Sequence, residues 1–169
     1  MTALEEAPCR PFSELIERRG WTAGEHPALR ADGEIDGLQV RVRYRFDAVP
    51  PHTEVRVEVP NLEVLGLRVT LPESADGAGL NTGDPIVDRL LHVNGRPAEA
   101  VIRLLRDDEL RARMLEVVHG HPGSAVRRGA VVLTVPGYDM SLIDRRIDLA
   151  VSLANALRDG CPDAAGDGS

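Results

Sequence analysis

The sequence contains no lysine: all 20 basic side chains are arginines. Schiff-base chemistry and a phosphate-loop lysine are thereby excluded. The arginine excess reads as a compositional bias, of the kind a GC-rich bacterial genome imposes. Aromatic residues are scarce at 3 %, so a core must be built from Val, Leu and Ile, and few rings are on hand to stack bases or sugars. The two cysteines, Cys9 and Cys161, sit near opposite ends; the count allows a disulfide, but without a secretory leader the pair reads as free thiols. No window approaches 18 consecutive apolar residues, so no membrane-spanning helix is expected. Met1 to Glu6 offer neither the basic nor the apolar segment of a leader. The expectation is a cytoplasmic protein with no membrane partner.

What is present is ordinary for a folded domain. Apolar residues make up 43 % and charged residues 28 % of 169 residues, enough for one domain with its own core. The formal net charge is -7, with the deficit at the ends: residues 1–35 hold four basic and seven acidic side chains, residues 130–169 three and six. A nucleic acid or an anionic membrane is disfavoured as partner by that balance, although a local arginine patch can override it.

The patterning centres on residues 37–71. Val40, Val42, Tyr44 and Phe46 alternate with arginines, Thr53 to Val59 alternates in the same way, and Val64 to Leu71 reads as a third strand. The Pro50-Pro51 pair marks the first turn because proline cannot donate to a strand ladder. Arg41, Arg43, Arg45, Arg56 and Arg68 fall on the polar face, with Glu54 and Glu58 as cross-strand partners. Further strands are expected at 89–93 and, as a hairpin around Arg128-Gly129, at 125–135. Helices are expected at 11–20, 97–106, 109–118 and 140–157, with Asp107 or Asp108 and Asp139 or Ser141 as caps. A short strand fits residues 29–35. The fold class is therefore α+β, a single domain over 11–158 in which a mainly antiparallel sheet is packed on one side by helices. Residues 1–10 read as a flexible tail, and residues 159–169 as a disordered acidic one.

Chemistry is harder to find. His26, His52, His92, His119 and His121 are scattered, and the close pair His119 and His121 lacks a third ligand at metal spacing. No Walker loop, dinucleotide fingerprint or nucleophile elbow is present. Asp84 and Asp88, near Thr82, are the candidates for a hard divalent cation or an acid/base pair; the competing assignment makes them turn caps paired to arginine. Trp21 is expected to pack the first helix onto the sheet, with a solvent-facing anchor for a partner as the alternative. On the last helix, Ala150, Leu153 and Ala154 are the candidates for a contact face. No cofactor is expected.

Asp36-Gly37 with its Val-Arg-Val-Arg strand, Thr53 to Val57, Leu65 to Val69, Thr82-Gly83-Asp84-Pro85 with Asp88-Arg89, the helix at Asp108 to Leu115 and the segment Val126 to Gly137 together resemble a family of uncharacterised bacterial domains found in myxobacteria and relatives. Its nearest thing to a signature is Gly-Asp-x-x-x-Asp, here Gly83 to Asp88, with Val87 where Phe is usual. The resemblance covers residues 20–158 and implies a fold and a bacterial origin, but no residue with a named role. Members often carry membrane segments ahead of this domain. The leading expectation is an accessory or scaffold protein acting by protein contact, with another protein or itself as partner. The alternatives are a small-ligand or cation-binding protein or enzyme with a site near residues 72–88, and a nucleic-acid binder on the arginine face.

Overall fold

The computed structural model describes residues 12–24 and 29–161. Cys9, the N-terminal tail and most of the C-terminal tail lie outside them, as does His26. The chain is an α+β domain built on one eight-stranded antiparallel sheet. Helix α1 covers residues 12–19; strands β1 (Thr22–Ala23), β2 (Arg30–Ile35), β3 (Leu38–Arg45) and β4 (His52–Glu58) follow. Strand β5 (Arg68–Thr70), helix α2 (Pro85–Leu90) and strand β6 (His92–Asn94) come next. Helices α3 (Ala98–Leu104) and α4 (Asp108–Met114) precede strands β7 (Ala125–Arg127) and β8 (Ala130–Pro136), and helix α5 (Met140–Gly160) ends the fold. The strand order is β1-β2-β3-β4-β8-β7-β5-β6.

The period-two pattern fixes which side chains are buried. The register sets Ala31 against Val42, Val42 against Val55 and Val55 against Leu133, and all four are buried. Helix α5 lies over this row, against β4 and β8, and inserts Ile143, Ile147, Ala150, Leu153, Ala154 and Leu157 into it. Burying a leucine such as Leu153 contributes on the order of 2 kcal/mol. Asp139 starts α5 by accepting from Ser141 N at 2.9 Å and Leu142 N at 3.1 Å, which satisfies two of its orphan donors. Asp107 does the same for α4 through Leu110 N. Thr53, polar yet buried, directs its hydroxyl to the Gly137 carbonyl at 2.6 Å.

Three local expectations are corrected. Residues 64–71 are not one strand: Leu62–Leu65 forms a 3-10 turn bracketed by Asn61 at φ 64° and Gly66 at φ 52°. Leu62 and Leu65 are three apart and both buried, and that helical spacing overrides the alternation; Val64 is left 76 % exposed. The strand expected at 89–93 begins later, as β6 at His92: residues 89 and 90 are the end of helix α2, which Asp84 caps and Pro85 opens. Finally, α5 runs to Gly160, past residue 157, so residues 159 and 160 are helix rather than tail.

Candidate functional site

The Gly83-Asp84-x-x-x-Asp88 motif closes a loop onto a helix. Asp84 Oδ1 accepts from Ile86 N at 2.9 Å and Val87 N at 3.2 Å, and its Oδ2 lies 3.0 Å from Arg111 Nε on α4. The N–H groups of Val87 and Ile86, with Arg111, hold this carboxyl below the ordinary aspartate range. Asp88 Oδ1 accepts from the backbone N and the hydroxyl of Thr82. The two carboxylates therefore have separate structural partners. Beside the 72–92 segment is a depression of about 320 Å³ lined by Asp88, Arg89 and His92 but not by Asp84, so the pair does not converge there. Among the described residues no group of three His, Cys, Asp or Glu is placed to hold a metal ion. His121 Nδ1 sits 3.0 Å from the Glu116 carbonyl.

The contact residues named from the sequence turn out to belong to the core. Ala150, Leu153 and Ala154 have no exposed surface, and Trp21 is 7 % exposed; the alternative of Trp21 as a partner-facing anchor is corrected accordingly. The reason for the helix is geometric: its small residues let α5 lie close over β4 and β8, so the stripe faces the sheet. Arg19 stacks over the Trp21 ring at 5.5 Å and binds Asp144 of α5 at 3.0 Å, which ties α1 to the helical layer. Cys161 follows α5, and burial pushes its thiol pKa up, away from reactivity.

The face of the sheet away from the helices is where charge collects. Most of its side chains are exposed or half-buried, and several arginines are neutralised there. Asp32 receives both Arg30, at 2.6 Å, and Arg41, at 3.0 Å; burial alone would raise its pKa, but the two guanidinium hydrogen bonds outweigh it and the pKa falls. Arg45 binds Asp47 at 3.0 Å and Arg56 binds Glu58 at 2.6 Å.

Compensation is thinner at one corner. Arg45, Arg56, Arg68, Arg127 and Arg128 line a groove of about 500 Å³ together with Glu54 and Glu63. The antiparallel register that pairs Val69 with Val126 sets Arg68 beside Arg127. Arg127 reaches Glu54 only at 4.0 Å; Arg68 and Arg128 have no ion pair among the described residues. The sequence singled out Arg45, Arg56 and Arg68 but missed Arg127 and Arg128. Those two sit on a hairpin whose place next to β5 is set by the pairing of Val126 with the distant Val69.

No family model matches the chain, and no curated protein matches it. The fold has a structural counterpart. The crystal structure of the mycobacterial trehalose monomycolate transport factor A, TtfA, aligns with a TM-score of 0.54 over 91 % of this chain and 96 % of that one, at 14 % identity. At that identity the likeness is one of fold. Among the described residues no helix is long and apolar enough to cross a membrane.

Proposed function

We propose that this protein is a non-enzymatic accessory module that acts by contact with another protein through the open face of its sheet. The observation that carries the proposal is the groove at the β5–β7–β8 corner, where three arginines lack close partners. At the far end of β3 the hairpin tip leaves Phe46, which follows the groove residue Arg45 in the chain, 61 % exposed and Val49 99 % exposed, apolar surface that a protein partner can cover. The carboxylates that pattern suggested for chemistry are engaged as caps and clasps. TtfA is a transport factor, and the shared fold is in keeping with an accessory role here.

The test is capture from the source lysate with tagged protein, beside the double variant R68E/R127E checked for folding by circular dichroism. A stoichiometric partner retained by the parent and lost by the variant is the expected result. A protein that returns alone, or a partner held equally by both, overturns the proposal.

A further inference from the structure

We infer that the occupant of the open-face groove is an acidic, extended segment of the partner protein, whose carboxylates complete the ion pairing of Arg68, Arg127 and Arg128. This rests on the contact reading above and adds the chemistry of what is bound.

The first support is the cross-strand pair. Arg68 and Arg127 are neighbours on adjacent antiparallel strands, some 5 Å apart in the pairing direction. Like charges so placed repel and destabilise a sheet. Elsewhere on this face carboxylates of the chain relieve part of the repulsion: Arg41 stands opposite Arg56, yet Asp32 binds the first and Glu58 the second, and of the opposed pair Arg30 and Arg43 Asp32 binds Arg30. At Arg68 and Arg127 the one carboxylate within ion-pair distance among the described residues is Glu54, 4.0 Å from Arg127.

The second support is Arg128. It occupies the first position of the β7–β8 turn at φ 50°, followed by Gly129 at φ 68°. The β2–β3 turn solves the same problem with Asp36 at φ 53° and Gly37 at φ 76°, the ordinary choice because Asn, Asp and Gly tolerate the left-handed region. Nothing in folding asks for arginine at this position. Its carbonyl accepts from Arg56 Nη2 at 3.0 Å, a bond any residue could make, whereas the exposed Arg128 side chain is left to line the groove and a neighbouring depression beside Glu58 and Glu63.

Carboxylates spaced along a chain fit better than a compact polyanion. Glu54 and Glu63 line the same groove and would oppose a phosphate dianion between them, while single carboxylates can each take one guanidinium in a forked pair. Nucleic acid would be expected to use rings for stacking, and no aromatic residue lines the groove. The overall charge of -7 does not forbid an acidic partner, because at physiological salt the field is screened over about 8 Å and the groove charge dominates locally.

The experiment titrates a fluorescein-labelled peptide of alternating Glu and Ser into the full chain at about 0.15 M salt, with the Gln counterpart, inorganic phosphate and phosphatidylglycerol vesicles as separate arms. R68E should weaken the Glu peptide tenfold or more. R128G should weaken it severalfold with an unchanged or raised Tm, since glycine is at home at that φ. R103E/R106E, on α3 and just after it and outside the groove, should change it little. Three results overturn the inference: no binding of the Glu peptide, equal weakening by R103E/R106E, or saturation by phosphate or vesicles in place of the peptide. If R68E/R127E abolishes partner capture while the Glu peptide does not bind, the contact face stands and its acidic occupant falls. If capture is insensitive to R68E/R127E, both fall.

Discussion

The indole of Trp21 lies so close to Gly33 that a Cβ added at Gly33 would fall 2.2 Å from the ring. Glycine here makes room for a side chain: β2 can accept the Trp21 ring on its inner face only where it lacks one, and the ring in turn carries Arg19 and α1.

Gly33→Ala is therefore expected to displace Trp21 from the sheet. Overpacking of this kind costs about 1–3 kcal/mol. Urea denaturation should show the loss. Emission from Trp21, the single tryptophan of the chain, should shift to longer wavelength as the ring meets water. Unchanged emission and midpoint would contradict the packing.

Thr70 presents the opposite case. Its hydroxyl is buried without a hydrogen-bond partner, and valine has nearly the same shape. Thr70→Val should raise stability by about 1 kcal/mol, because an unsatisfied polar group is removed without leaving a cavity. A lower urea midpoint in the variant would show that the hydroxyl has a partner in solution.

Acid should destabilise the fold in a definite window. Asp84, Asp139 and Asp32 all have pKa values lowered in the folded state. A carboxyl so shifted adds stability that is fully present above its unfolded value near 3.9 and is lost as pH falls through the folded value. Urea midpoints should stay flat from about pH 7 to about pH 5 and fall below about pH 4. Asp84→Asn keeps an oxygen for the α2 cap but loses the charge facing Arg111, so its acid limb should be shallower; Asp84→Ala should also lose the cap and melt lower at neutral pH.

Calcium and magnesium test the Gly83–Asp88 motif from another side. With Asp84 committed to α2 and Arg111 and Asp88 to Thr82, millimolar amounts of either ion should leave the Tm unchanged. A rise that the double variant D84A/D88A abolishes would show that the loop reorganises around a cation.

Much of the fold could be read from neighbours in the chain. The alternation in Leu38 to Arg45 and Thr53 to Glu58, the Asp107 and Asp139 caps and the spacing of Leu142 to Leu157 are signals of short range, and short-range geometry follows from them. The reading failed at Val64 and at residues 89–90, where two weak patterns compete over a few residues and burial of Leu62, Leu65 and Val87 chooses between them.

The sequence by itself determined a lysine-free α+β chain with one apolar and one arginine-bearing sheet face, because strand periodicity separates the two faces without reference to any other part of the molecule. Only the tertiary structure decided that β5 lies beside β7, and hence that Arg68 meets Arg127 and Arg128 with too few carboxylates between them. The same holds for Trp21 on Gly33 and for the burial of Ala150, Leu153 and Ala154. Strand order and helix placement are set by the packing of the whole core, so the meeting of distant residues carries no local signature.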